Sequence, residues 1–563
     1  MILKQIIIIS VAMVSLNIFA QTDHTALKLD ALSRNATQPV SMWPLEVGEV
    51  KPTGWLRQWA QAAANGITGH LDEYEPVFGK GWTGVDFKAR GVREGGTGWP
   101  IEQCCYWLDG GVRLAYMLGD STLIRKFSNR LDIVVNGILS NNSHTFIYWK
   151  PDTIVNQYFN NWGHGLMGRA LVSYYQATHD QHILKALSQV YHNFRIYNAP
   201  YSDFWNLDMM LSHTRGSTNV DAMTETFLIN GDKAIIDSIK AFRNRQTVRD
   251  IESRMLRLGN NDPLEFRTFH GVTFYELLRV PAIISLWDKN PIGERLTQHL
   301  INWGEKSSLM PWGIVSGEEY LSGRGSMHFN ETCMIPTSMW SYGWLMRLTG
   351  DSRWADRIEN VFLNCGPVPI ARDWKTMTYY QTPNRYSEHL PMDPFVPGPG
   401  DQLYTPHGYD VLCCVGSCNW IIPNYIQQMW LETADHGLAC ALYGPCKVDK
   451  FIRGRRLSIN CTTDFPFEDC VSMEVNLDRS VDMPFYFRMP DWADGFEVYV
   501  NGQHCKSMAK NGFVCIKRRW KNNDIIRVRL PMKAVVERET ETPCPRDNYF
   551  MRVPEYKHDS ICG

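Results

Sequence analysis

The chain has 563 residues, carries 57 Lys and Arg against 59 Asp and Glu, and has a formal net charge of -2. That length exceeds what one hydrophobic core usually serves, so two or more domains are expected. A near-neutral balance with 44% hydrophobic and 21% charged residues argues against a nucleic-acid or anionic-membrane partner and fits an ordinary globular protein.

The N-terminus, "MILKQIIIISVAMVSLNIFAQTDH", has a short basic start at Lys4, an apolar centre from Ile6 to Ala12, and the small residue Ala20 before Gln21. This pattern predicts a secretory signal peptide over 1–20, with the mature chain exported to the periplasm or the cell exterior. Ser10, Ser15 and Asn17 interrupt the apolar run, which is short for a membrane span.

Residues 21–435 read as one mainly helical domain. "IEQCCYWLDGGVRLAYML" places Ile101, Cys105, Leu108, Val112 and Ala115 at three- and four-residue steps, the stripe of a buried helix. "GHGLMGRALVSYYQAT" and "ADRIENVFLNCG" repeat the pattern, the second ending on Gly366 as a cap. So many helices in one long domain predict an (α/α)6 toroid. From 436 to 563 the texture becomes short, β-rich segments separated by turn residues, among them "RRLSINCTTDF", "VSMEVNLDR", "FYFRMPDW", "FEVYVNG" and "DIIRVRLP". They predict a β-sandwich domain. No convincing final strand precedes Gly563, so the sandwich is expected to be truncated at its C-terminus.

Groups able to do chemistry cluster in three places. "GIVSGEEYLSGRG" carries Glu318 and Glu319, "FNETCMIP" carries Glu331 and Cys333, and "YDVLCCVGSC" carries Cys413 and Cys414. Fifteen cysteines is an odd number in a chain too large to need disulfide staples, which leaves room for a metal site or a nucleophile. Three thiolates and a carboxylate are a legitimate tetrahedral zinc set, although the spacing is not that of a zinc finger. On spacing alone, a metal site and buried structural thiols are equally good readings. A thiolate of lowered pKa can attack carbon, and a nearby carboxylic acid can protonate a departing oxygen. Together they would make a retaining glycosidase with sulfur in place of the second carboxylate. Cys104 and Cys105 lie in a helical pattern and read as core, and Cys418 reads as a packed thiol.

The pieces "GEEY", "ETC" and "CC", in that order within a helical domain, resemble glycoside hydrolase family 127, the zinc- and cysteine-dependent β-L-arabinofuranosidases. "GHGLMGRALVSYYQATHD", "FHGVTFYE" and "FYFRMPDWADGFEVYVNG" extend the likeness over most of the mature chain. The resemblance implies Zn2+ held by Glu331, Cys333, Cys413 and Cys414, with Cys413 as the nucleophile that forms a thioglycosyl-enzyme. It implies Glu318 as general acid/base, with Glu319 as the substitute, and sugar-hydroxyl contacts from His164 and His270. Where arabinofuranosidase members carry a third histidine in a "GHPE"-like turn, this chain has "GSTNVDAMTETF" at 216–227, which points to a divergent branch. The implied activity is a retaining exo-glycosidase releasing β-L-arabinofuranose or a related pectic sugar from an oligosaccharide or polysaccharide. A hydrolase acting on aceric-acid-type pectin side chains, an inverting hydrolase or lyase with a structural metal, and an inactive carbohydrate-binding protein are the alternatives. Homodimerisation is left open.

Overall fold

The structure is a computed structural model that describes residues 22–74, 78, 99–147, 161–196, 216–259, 270–289, 292–318, 320–325, 328, 330–381, 413–536 and 538. The expected signal peptide and the last residues of the chain lie outside this set.

Helices Trp99–Leu118, Asn161–Thr178, Val220–Asn230, Gly271–Ser285 and Met334–Thr349 pack side by side in that order. The short helices Cys413–Ser417 and Ile421–Gln427 close the ring back onto Trp99–Leu118. These inner helices are apolar nearly all round, as elements enclosed on every side must be. Every residue of Gly271–Ser285 is buried, and so are Cys105, Leu108, Val112 and Ala115 of the predicted stripe. The intervening helices Ser121–Ser140, Gln181–Asn193, Lys233–Arg243, Ile292–Ser308 and Arg353–Asn364 are amphipathic and form an outer layer. Several start on an aspartate whose side chain accepts from the first free backbone N–H groups, as Asp120, Asp180 and Asp232 do. The result is the expected α/α toroid. Gly366 follows the cap residue Cys365 and returns its N–H to the Val361 carbonyl at 3.0 Å.

The C-terminal module is a sandwich of a six-stranded and a seven-stranded sheet. All of the strands anticipated after residue 436 form, and Cys446–Ile452 and Cys470–Leu477 alternate buried and half-buried residues as half-covered strands do. Both sheets also recruit earlier segments. Met42–Pro44 pairs with Trp430–Thr433 at the edge of the first, and Val50–Pro52 pairs with Cys446–Ile452 at the edge of the second. Among the described residues, no helix is long and apolar enough to cross a membrane.

Candidate metal centre and active site

The inner helices run in the same sense, so their N-terminal ends meet at one mouth of the toroid. Asn219, which caps Val220–Asn230, contacts His164 near the start of Asn161–Thr178. Cys333 caps Met334–Thr349 and contacts Cys414 at the start of Cys413–Ser417. Converging helix N-termini present partial positive charge, which favours anionic side chains there.

A small sheet of two-residue strands lies at this mouth, ordered Tyr320–Leu321, Gly317–Glu318, Asn330–Glu331, Tyr380–Gln381. It sets Glu331 opposite Tyr380 and Asn330 opposite Gly317. Thr332 fixes the corner between strand and helix, since its N–H donates to Tyr379 O and its hydroxyl to Thr378 O, both at 2.8 Å. The cysteine turn is seated from the other side. A Cβ at Gly416 would lie 2.8 Å from Gln103 O, so only glycine lets the turn approach Trp99–Leu118 this closely.

Four ligand atoms, from Glu331, Cys333, Cys413 and Cys414, all fall within 4.8 Å of one another. Cys333 Sγ lies 3.1 Å from Cys414 Sγ, and Glu331 Oε1 lies 3.2 Å from Cys413 Sγ and 3.5 Å from Cys414 Sγ. A disulfide needs an S–S distance near 2.05 Å, so these are thiols in contact and not a bridge. None of the cysteines among the described residues is joined in a disulfide. Glu331, Cys333 and Cys414 are buried, and half-buried Cys413 is the member reached from outside.

Their ionisation follows from crowding. The Cys333 and Cys414 thiols beside it hold Cys413 well below the usual thiol range, against the cost of burial, and the Tyr379 hydroxyl, 3.5 Å away, adds to the effect. Burial pushes Cys333 and Cys414 well above that range. One thiolate is therefore favoured, and it is the accessible one. Placing all four negative charges in this volume requires a cation, and sulfur-rich donors with one carboxylate suit a tetrahedral soft-to-borderline ion such as zinc. The residues fit that group.

The remaining expected site residues divide. His270 comes to the cluster: it caps Gly271–Ser285, bridges to Tyr320, and sets Nε2 3.7 Å from Glu331 Oε2. His164 is fully buried and stacks on Phe194 at 4.2 Å, with Nδ1 2.8 Å from Asn219 Oδ1. Burial draws its imidazole down to about 3, so it is neutral, and the amide orientation set by Asn219 Nδ2 on Gly216 O makes His164 Nδ1 the donor. Glu318 occupies the strand beside Glu331, which fixes its backbone, while Glu319 lies outside the described residues. Tyr379 was not anticipated; nothing in its local sequence separates it from the other 23 tyrosines. Cys104, Cys105 and Cys418 are buried, as expected of packed thiols, and burial raises all three thiols.

Residues 437–532 match the family model described as "Beta-L-arabinofuranosidase, GH127 middle domain". Over that segment of the sandwich the chain is similar to glycoside hydrolase family 127. Among solved structures it is similar to a GH127 beta-arabinofuranosidase, with TM-score 0.60 and 15% identity over 87% of this chain and 80% of that one. It is similar to a GH127 beta-L-arabinofuranosidase from Geobacillus stearothermophilus, with TM-score 0.61 and 15% identity over 86% and 82%. A third structure, titled a glycoside hydrolase, gives TM-score 0.63 and 16% identity over 91% and 81%. At such identity the likeness to the GH127 structures is one of fold. No curated protein matches the chain by sequence.

Proposed function

We propose that the protein is an exported, metal-dependent retaining exo-glycosidase that removes a furanose-type sugar from plant glycans. The convergence of Glu331, Cys333, Cys413 and Cys414 within 4.8 Å carries this reading. Glu331, Cys333 and Cys414 would hold zinc together with Cys413; bound there, the ion supplies the positive charge that keeps the cysteines deprotonated. Cys413 Sγ attacks the anomeric carbon as the bond to the leaving oxygen breaks, and Glu318 gives that oxygen its proton. Glu318 then takes a proton from water, whose oxygen attacks the same carbon and expels Cys413 as thiolate. His270, poised beside Glu331, and neutral His164 supply contacts to sugar hydroxyls.

A second sugar class draws support from one observation. Asn219 stands in the stretch where arabinofuranosidase members carry a histidine, and it is engaged with His164 at 2.8 Å. An altered donor set in that wall favours a related pectic sugar, including the branched acid aceric acid, over arabinofuranose itself. Purified protein should contain about one zinc per chain. Cys413→Ser should abolish turnover on a panel of aryl furanosides and pectic oligosaccharides; retained activity would remove sulfur from the mechanism. A protein that binds these glycans without cleaving any of them would instead be a carbohydrate-binding module.

A further inference from the structure

Away from the cysteine cluster, a small cavity of about 30 Å³ lies among the inner helices and the Met42–Pro44 strand. Its central side chain is Arg169, on the same helix as His164 and five residues further along it. Arg169 is 3% exposed and lies between two indoles, with Cζ 3.8 Å from the Trp340 ring centre and 4.1 Å from that of Trp420. Its neighbours are otherwise spoken for. Asp109 bonds Arg113 at 2.8 Å and Ser173 at 2.7 Å, and stands 3.6 Å from Arg169. Asp221 Oδ2 receives Arg279 at 2.8 Å and Trp340 at 2.7 Å, while Glu225 receives Arg347 at 3.2 Å and Lys28 at 3.3 Å.

Arg169 Nε, Nη1 and Nη2 therefore make no hydrogen bond to the protein. Around the same cavity, Arg347 Nε and the indole nitrogens of Trp43 and Trp344 are donors in the same condition, whereas Asp221 Oδ1 and Gln427 Oε1 are the matching acceptors. Donors outnumber acceptors among these buried groups. A buried donor left unmatched is costly, because it has given up water and gained no partner. Water answers a balanced wall, because it must itself donate; a wall with excess donors calls for a species that only accepts.

We propose that this cavity binds a small monovalent anion of the halide class, held by Arg169 and Arg347 with the Trp43 and Trp344 N–H groups at its edge. Among the arginines lining the cavity, Arg169 has its carboxylate partner, Asp109, only at 3.6 Å, beyond good hydrogen-bond reach, and burial draws Arg169 and Arg347 down to about 10. The anion also braces the candidate active site. Arg169, Trp340 and Trp420 sit on the segments that carry His164, Cys333 and the Cys413–Cys414 pair, so filling the cavity ties those segments together.

The test compares thermal unfolding of the full metallated chain in chloride, bromide and gluconate at constant ionic strength. Chloride and bromide should give a saturable rise of roughly 2 °C or more over gluconate. Arg169→Lys should weaken the response and Arg169→Met abolish it. Should those variants fail to fold, bromide-soaked wild-type crystals decide: an anomalous peak beside Arg169 supports the site. Equal melting in all three salts overturns the proposal, even where a peak marks an adventitious ion, and so does a cavity holding water alone at saturating bromide.

Discussion

Of the adjacent pair Glu318 and Glu319, the proposed mechanism gives the acid/base role to Glu318. The backbone places Glu318 beside the Asn330–Glu331 strand. Glu318→Gln should therefore lower turnover by roughly a hundredfold to ten-thousandfold, with the deficit smallest on aryl glycosides whose leaving group needs no proton. Glu319→Gln should leave it nearly intact. The opposite result in steady-state assays would move the proton donor to Glu319. At this scale the sequence was most informative where the chemistry is local, because a cysteine doublet and a Glu-Thr-Cys tripeptide are visible as they stand. That their sulfurs touch, with Cys333 and Cys414 at 3.1 Å, is not visible, since 81 residues separate them. Tyr379 and the approach of His270 to Glu331 depend on the small sheet and carry no local signature.

The turn that holds Cys413 and Cys414 owes its position to glycine. A methyl group at 416 would press on Gln103 O at 2.8 Å and on its Cα at 3.0 Å, and main chain cannot swing aside as a flexible side chain would. Gly416→Ala should cost about 1–3 kcal/mol, and it should displace the cysteine turn. Thermal unfolding together with metal stoichiometry reads both effects; a variant as stable and as fully metallated as wild type would contradict this account. Long elements were legible because 3.6-residue and two-residue periods survive in them. The two-residue strands at 317–318, 320–321, 330–331 and 380–381 are too short to show any period, and they are what assembles the centre. Strand Phe513–Trp520 escaped notice because Lys517, Arg518 and Arg519 fill one end of it, although Phe513, Val514, Ile516 and Trp520 are buried.

Across the whole molecule, charge buried between layers does the joining. Arg488, in the "FYFRMPDW" segment, is fully buried and bonds Asp356 and Glu359 of the outer helix Arg353–Asn364, while Trp492 donates to Glu359 at 3.2 Å. Arg488→Met strands two carboxylates in the interface and should cost about 3–5 kcal/mol, measurable by urea unfolding. Helix His24–Asn35, which carries Lys28, is tied on in the same manner. Burial works to raise the Glu46 carboxyl, but Lys28 at 2.7 Å prevails and brings it down to about 2 from 4.5. Because the folded value is the lower one, this contribution is complete above pH 4.5 and fades as pH falls toward 2. Glu46→Gln should flatten the loss of stability over that window, and an unchanged acid limb in thermal melts would show that the pair does not govern it.

The outermost strands of both sandwich sheets, 42–44 and 50–52, are translated almost four hundred residues before the strands they join at 430–433 and 446–452. During synthesis those early strands must wait, unpaired, until nearly all of the toroid has emerged from the ribosome. Closure of the sandwich is thus a late and long-range event, slow for the reason that any distant loop closure is slow. For the same reason a fragment cut to residues 437–532 would surrender the border of each sheet and present raw hydrogen-bonding rims to its neighbours in solution.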